Sequence, residues 1–311
     1  MKVLVTPRSF GKTDPQVWTI LRDAGLDIVR NPTGGILSED QLIELVADCE
    51  GVVIGVDPLS ARVLGSAPKL KAIAKYGVGV DNIDLEICRQ RGITVSRTVG
   101  ANADAVADFA FALMLAVARQ VMTIDRNCRQ GSWQKITTLD VSGRTLGILG
   151  LGAIGKKLAK RAAGFDMRIM AFDTVWDEAF ALEHRIEQAS LEDICRRADF
   201  ISLHLPLLPE TQNAIGASQL AWMKPTAILV NTARGGLIDE AALFDALLNR
   251  RIYGAGIDAF SHEPLEDPRW YALENLVIGS HAAASTLGAT EKMGRMAAQN
   301  LVHDLQRVSI L

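Results

Sequence analysis

The feature that most limits what this 311-residue chain can fold into is a glycine pattern set between a strand and a helix. Residues 144–149 read as a short buried strand, and Gly150-Leu151-Gly152-Ala153-Ile154-Gly155 follows at once. Residues 154–164 then carry helical periodicity, and 168–172 read as a second strand. A strand, a glycine-rich turn and a helix in that order predict a βαβ unit whose turn receives a dinucleotide pyrophosphate. Gly150 permits the tight turn, Gly152 lets the backbone approach the phosphates, and Gly155 lets helix and strand pack closely. The helix start, at Ala153 and Ile154, presents unpaired N–H groups and the positive end of the helix dipole to the anion. Asp173, ending the second strand, is placed to accept hydrogen bonds from both ribose hydroxyls and to repel the extra phosphate of NADP. Thr174-Val175-Trp176 brings no basic residue to hold that phosphate, so the pattern predicts NAD.

The rest of the chain repeats the alternation. Strands are expected at 2–6, 28–29, 51–55, 71–75 and 94–95, with helices at 15–24, 39–47, 60–67 and 84–91. Gly25 reads as the C-cap of the first helix. After a polar segment containing Gly131-Ser132-Trp133, further strands are expected at 200–203, 227–230, 253–257 and 275–278. Helices are expected at 190–197, 240–248 and about 288–305. This order implies parallel sheets covered on both faces, and the length implies two cores. The expected fold class is α/β: two Rossmann-like or flavodoxin-like doubly wound parallel-sheet domains with a cleft between them. A helix at 101–119, capped by Asn102, has Asp104 and Asp108 near its start and Arg119 at its end, which suits the dipole. Its middle is apolar all round, so it is expected to be buried and to lead into the second domain.

Composition excludes several classes. With 49% hydrophobic and 22% charged residues the chain is an ordinary globular one, and a net charge of −3 offers no basic footprint for nucleic acid. Cys49, Cys88, Cys128 and Cys195 are dispersed without a CxxC pair, so neither a disulfide framework nor a metal site is expected. They read as small buried hydrophobes in a reducing cytoplasm. The start of the chain is too weakly apolar for a signal peptide, and the longest apolar run, 109–118, is about half of a membrane span. A soluble, cytoplasmic protein is expected.

Three later stretches carry chemistry. They are Val230-Asn231-Thr232-Ala233-Arg234-Gly235-Gly236, Asp258-Ala259-Phe260-Ser261-His262-Glu263-Pro264 and Gly279-Ser280-His281-Ala282-Ala283. Each follows an expected strand, at the end where open α/β sheets bind ligands. Hydride transfer to a 2-oxo acid needs a proton donor at the carbonyl oxygen and a cation for the carbonyl and carboxylate. Histidine suits the first because it exchanges a proton near neutral pH, and Glu263 is the candidate to fix its tautomer. Arginine suits the second, since its fork matches a planar carboxylate. His204, which also ends a strand, is expected to flank the adenine side. His262 is expected to point elsewhere, and His184 and His303 to lie at the surface.

Taken with Lys75-Tyr76-Gly77-Val78-Gly79-Val80-Asp81-Asn82-Ile83-Asp84 and His204-Leu205-Pro206-Leu207-Leu208-Pro209-Glu210-Thr211, these motifs span nearly the whole chain. The sequence resembles the D-isomer-specific 2-hydroxyacid dehydrogenase family, in the branch similar to phosphoglycerate dehydrogenase. The resemblance implies that Arg234, Glu263 and His281 are the catalytic set, with His281 the general acid/base. It implies that the backbone N–H groups of Val78 and Gly79 hold the substrate carboxylate, and that Asp258 holds the nicotinamide carboxamide. Thr232, Ala233 and Val106 would line the nicotinamide ring, and Pro206 and Thr211 would also lie at the cofactor. It further implies a discontinuous substrate domain, 1–100 plus 285–311, around an NAD-binding domain, 101–284, with closure that shields the hydride path. A small anionic 2-hydroxy or 2-oxo acid is the implied partner. A homodimer is also implied, with 120–140 reaching between subunits; Trp133 suits that role or a packing role within one subunit.

The resemblance has gaps. Phosphoglycerate dehydrogenases often carry arginines that grip the substrate phosphate, where this chain has Gly55-Val56-Asp57-Pro58-Leu59-Ser60 and no arginine before Arg62. Asp57 is expected to repel a phosphate, and Arg8, beside Ser9, to bind the distal end of the substrate instead. A glyoxylate or hydroxypyruvate reductase-type substrate is therefore an alternative to phosphoglycerate. Formate oxidation is disfavoured because formate dehydrogenase, a relative, has glutamine at the position of Glu263; phosphite oxidation stays open. No regulatory domain is expected after 305. An NAD(H)-sensing transcriptional co-regulator is the alternative from another class, disfavoured by the lack of a basic patch or long disordered tail.

Overall fold

Every strand pairing in the computed structural model, which describes residues 1–309, is parallel. The chain divides into two compact units, Met1–Asn102 with the segment from Ser285 onward, and Ala103–Ala284.

The first unit holds β1 (Lys2–Val5), β2 (Asp27–Arg30), β3 (Gly51–Ile54), β4 (Ala72–Lys75) and β5 (Thr94–Arg97), in the order β2-β1-β3-β4-β5. β3 is apolar and wholly buried, and β1 and β4 are buried except at Lys2, as a sheet covered on both faces requires, while β2 and β5 at the edges expose their ends. The helix Leu287–Ser309 returns to cover β3, β4 and β5. Leu301 and Leu305 of that helix are fully buried, and a Cβ on Gly51 would sit 3.0 and 3.1 Å from them. The strand order reverses between β1 and β3, so the loops leaving these two strands flank the crevice where such sheets take ligands.

The second unit holds β6 (Thr145–Leu149), β7 (Arg168–Phe172), β8 (Ile186–Gln188), β9 (Phe200–Leu203), β10 (Ile228–Asn231), β11 (Gly254–Ile257) and β12 (Leu276–Ile278). Their order is β12-β11-β10-β9-β6-β7-β8, with the reversal between β6 and β9. The helix Ala103–Ala118 lies against β10, β11 and the helix Ala153–Ala163. Gly254 and Gly256 permit that approach, because a Cβ on either would come within 2.8 Å of Val117 or Leu113. Asp104 and Asp108 pair with Lys157 and Arg161 of the neighbouring helix instead of only complementing a dipole.

Several details differ from the sequence reading. The long helix runs 103–118, and Asn102 does not cap it: its Oδ1 is buried with no hydrogen-bond partner in the protein. Five elements were not expected: the helices Val121–Arg129, Glu178–Glu183 and Ala217–Trp222, the short 3-10 helix Pro268–Ala272, and strand β8. Val121–Arg129 buries no residue, so it has no core-facing stripe to announce it, and Cys128 within it is only half-buried. In β8 only Ile186 is buried. All four cysteines are unpaired, and Cys49, Cys88 and Cys195 are buried as expected. Among the described residues no single helix is long and apolar enough to cross a membrane.

Candidate active site

The glycine turn after β6 separates what packing demands from what a ligand demands. Gly150 has φ +101°, and a Cβ there would lie 2.6 Å from the carbonyl oxygen of His204. A Cβ on Gly155 would lie 2.1 Å from the Gly150 carbonyl oxygen. Both positions exclude any larger residue on internal grounds. Gly152, the residue before the helix Ala153–Ala163, is different: a Cβ there would meet nothing within 4 Å. Its missing side chain keeps clear the space before a helix N-terminus, which is the fit a pyrophosphate requires. Asp173, half-buried after β7, is tied to this turn by accepting from Leu151 N at 2.6 Å and Val175 N at 2.9 Å. A carboxylate oxygen accepts more than one hydrogen bond, so this bracing leaves acceptor capacity for a ribose.

His204 leaves β9 with its backbone against Gly150. One ring nitrogen, Nε2, lies 2.9 Å from Ser202 Oγ, and Nδ1 is buried without a partner. Burial pushes its pKa down to about 4, so it is neutral and serves the packing of the turn. Thr211 closes the loop that follows, donating to the Pro206 carbonyl at 2.6 Å and accepting from Leu208 N at 2.8 Å.

The Arg234 loop is shaped by the residue that ends β10. Asn231, 1% exposed, donates from Nδ2 to the Arg234 carbonyl at 2.6 Å and accepts from Ala233 N at 3.0 Å. Arg234 folds back to donate to the Ala233 carbonyl at 2.7 Å. Thr232 Oγ1 is buried here with no partner in the protein. Gly235 lies so close to the Phe260–Ser261 peptide that a Cβ would come within 2.1 Å of it. The two loops are then stapled: Gly236 N donates to Ser261 Oγ at 2.9 Å, and Ser261 N to Glu240 Oε1 at 2.6 Å.

Glu263 accepts from Phe260 N at 2.9 Å and faces His281 Nδ1 at 2.9 and 3.1 Å. Their side chains are 37% and 44% exposed, so the pair is reachable from solvent. His281 follows β12 with φ +57°, a left-handed conformation that a side chain other than glycine adopts at a cost. Asp258, 1% exposed, holds it there. Its carbonyl accepts from His281 N at 2.9 Å, and its carboxylate accepts from Ala282 N at 3.0 Å and Ala283 N at 2.9 Å. Gly279 is obligatory beside it, since a Cβ would fall 2.1 Å from Asp258 Oδ1.

The hydrogen bond that His281 donates to Glu263 raises the His281 pKa; burial and Arg234 oppose the rise without cancelling it, and the carboxylates of Glu263 and Asp258 add to it. Burial pushes Glu263 up, but its bonds to His281 and Phe260 N and the charge of Arg234 leave it below the ordinary value. The pair is thus biased toward imidazolium and carboxylate. With Nδ1 bound to Glu263, Nε2 is the atom that exchanges a proton.

Several of the other expected residues lie in the first unit. Thr98 Oγ1 pins Gly77, accepting from its N–H at 2.9 Å and donating to its carbonyl at 3.1 Å. Next in the chain, the half-buried N–H groups of Val78 and Gly79 make no hydrogen bond to any described residue. Arg8 is exposed in the turn after β1. Asp57 does not face solvent as a repelling charge: it is 3% exposed, accepting from the Thr6 hydroxyl and from Leu37 N at 2.8 Å. Val106 is buried in the helix Ala103–Ala118 of the second unit. His184 is half-buried, with its ring packed on Phe180 at 4.3 Å and its Nε2 buried; His262 and His303 are exposed. Among the described residues no group of three His, Cys, Asp or Glu could hold a metal. Sequence reasoning missed Asn231, Ser261 and Glu240 as shapers of the site; only Asn231, a residue type that bonds to nearby backbone after a strand, carried a signal.

Comparison with known proteins agrees with this geometry. A sequence model of the NAD-binding domain of D-isomer specific 2-hydroxyacid dehydrogenases matches residues 111–283. Glyoxylate reductase of Korarchaeum cryptofilum is 45% identical over 274 residues, covering 85% of this chain and 82% of that protein. D-3-phosphoglycerate dehydrogenase of Mycobacterium tuberculosis is 38% identical over 265 residues, covering 84% of this chain and 50% of that protein. Among solved structures, the TT0316 protein of Thermus thermophilus superposes with a TM-score of 0.89 at 38% identity, over 99% of this chain and 97% of the other.

Proposed function

This chain belongs to the D-isomer-specific 2-hydroxyacid dehydrogenase family and is an NAD-dependent oxidoreductase interconverting a small D-2-hydroxy acid and its 2-oxo acid; we propose that its substrate is a short, unphosphorylated acid of the glyoxylate or hydroxypyruvate type. The observation that carries the catalytic assignment is the Glu263–His281 contact of 2.9 Å, in a loop stapled to that of Arg234. In the direction of reduction, His281 Nε2 gives its proton to the carbonyl oxygen as a hydride reaches the carbonyl carbon. Bound NADH supplies that hydride. Glu263 stabilises the imidazolium before transfer and fixes the ring after it. Arg234 binds the substrate carboxylate and polarises the carbonyl. The N–H groups of Val78 and Gly79 are assigned to the substrate carboxylate. Gly150, Gly152, Ala153, Ile154 and Gly155 receive the pyrophosphate, Asp173 the ribose, and Thr232, Ala233, Val106, Asp258, Pro206 and Thr211 complete the cofactor site.

Two observations support the unphosphorylated substrate. Residues 55–60, leaving β3, include exposed, apolar Val56 and the internally bonded Asp57 and contain no lysine or arginine. The similarity to a glyoxylate reductase is also greater than that to a phosphoglycerate dehydrogenase, of whose length the chain spans half. Arg8 is assigned to the distal end of longer substrates. Following NADH absorbance with glyoxylate, pyruvate, hydroxypyruvate and phosphohydroxypyruvate tests the reading. The highest kcat/KM is expected with glyoxylate or hydroxypyruvate, and a preference for phosphohydroxypyruvate would overturn it.

The same reading places the enzyme in the cytoplasm, consistent with four unpaired cysteines. It also makes it a homodimer through the helix Val121–Arg129 and the loop after it, where Val121, Met122 and Trp133 are 50%, 59% and 86% exposed. Sedimentation of the native protein and of Trp133→Ser tests the dimer; a native monomer at micromolar concentration contradicts it.

A further inference from the structure

A lysine ammonium buried at the carboxyl end of a parallel sheet is costly unless the fold uses its charge. Lys75 is the last residue of β4 and is 6% exposed. Among its partners are the Gly55 carbonyl, at the exit of β3, and Asn82 Oδ1 at 2.6 Å. Asn82 in turn donates from Nδ2 to the Gly55 carbonyl at 3.1 Å and to the Asp57 carbonyl at 2.6 Å. One network therefore joins the end of β4, the exit of β3 and the far end of the loop 76–82. Thr98 pins the near end of the same loop at Gly77.

Between these two pins lie the N–H groups of Val78 and Gly79. The stem of Lys75 runs next to Gly77, where a Cβ would sit 3.7 Å from its Cε. We propose that Lys75 is a positioning residue for the substrate carboxylate: it holds the loop 76–82 in place and puts a fixed positive charge behind the N–H groups of Val78 and Gly79. A concavity of backbone N–H groups backed by a cation attracts an anion more strongly than the N–H groups alone. Lys75 does not touch the substrate; it acts through the loop. The inference rests on the reading that Val78 and Gly79 bind the carboxylate.

The test measures NADH oxidation with the best-used acid of the panel, in the native enzyme, Lys75→Met and Lys75→Arg, with NADH dissociation constants measured in parallel. Lys75→Met is expected to raise KM by roughly tenfold or more, with kcat changed about threefold at most, since what is lost is binding held in ground and transition states alike. NADH affinity stays unchanged, and Lys75→Arg, which keeps the charge, returns KM to within about threefold of native. A brace that acted only by shape would not favour arginine over methionine. The proposal is overturned if Lys75→Met leaves KM within about twofold of native, or if Lys75→Arg is as impaired as Lys75→Met. Should Lys75→Met fail to fold, Lys75→Gln, which retains a donor for Gly55, is held to the same limits. Gly79→Pro removes one N–H and tests the underlying reading separately. An unchanged KM there sinks the carboxylate loop itself, whereas a raised KM beside an unaffected Lys75→Met sinks only the role of Lys75.

Discussion

The two units of this protein solve one architectural problem with different chemistry. Both are doubly wound parallel sheets, and in both the groups assigned to ligands lie beyond the carboxyl ends of strands. In the unit 103–284 the proposed work falls to residues that few others can replace: a histidine paired with a glutamate, an arginine, and three glycines at a turn. In the other unit it falls to backbone N–H groups held by Thr98, Lys75 and Asn82. The lesson is that proton and hydride chemistry restricts residue type, whereas holding a carboxylate restricts backbone shape, which many sequences can supply.

Substitutions should separate the two units by what they change. The largest effect is expected from His281→Asn, which removes the proton donor: kcat for reduction falls by about 10²–10⁴ while NADH still binds. A loss below tenfold would take His281 out of the chemistry. Arg234→Ala is expected to lower kcat/KM by about 10²–10³, as loss of a charged partner to a carboxylate does.

The glycine turn gives a sharper contrast. Gly155→Ala forces a Cβ against the Gly150 carbonyl and should destabilise the unit by about 1–3 kcal/mol, read by denaturant unfolding. Gly152→Ala meets nothing in the protein, so stability should stay within about 0.5 kcal/mol while the NADH dissociation constant rises. Equal loss of stability in both variants would deny Gly152 its ligand role. Ser261→Ala, which removes the acceptor for Gly236 N, should lower kcat/KM by about two- to tenfold, the worth of one hydrogen bond. The smallest effect belongs to Arg8→Ala. It should raise KM by about threefold for hydroxypyruvate and leave glyoxylate, which has no distal group, unchanged. Equal effects on the two acids would remove Arg8 from the substrate site.

The same contrast explains what the sequence revealed. Eleven strands could be located because each is a short apolar run bounded by turn signals, and parallel strands buried on both faces must read that way. β8 escaped because only Ile186 of its three residues is buried, and Val121–Arg129 because it faces no core. Arg234, Glu263 and His281 stood out because each sits in a short motif after a strand. Ser261 and Glu240 did not, because their contribution is a hydrogen bond between loops that are distant in sequence. Asp57 shows the opposite failure. A carboxylate in a loop after a strand reads as exposed charge, and only the fold reveals that Thr6 and Leu37 N use it internally.

The proposed chemistry requires that Glu263 hold His281 as a proton donor, and the pH dependence of kcat/KM for reduction tests this most directly. Reduction requires the protonated ring, so the rate is full below the His281 pKa and falls as pH rises through it. The hydrogen bond donated to Glu263 raises that pKa, so the fall in the native enzyme should come at higher pH than in Glu263→Gln. For oxidation, which needs the neutral ring, the rise of the rate should move to lower pH in Glu263→Gln. If both enzymes show the same midpoint in both directions, the pair does not set the proton inventory of the reaction and the central assignment is wrong.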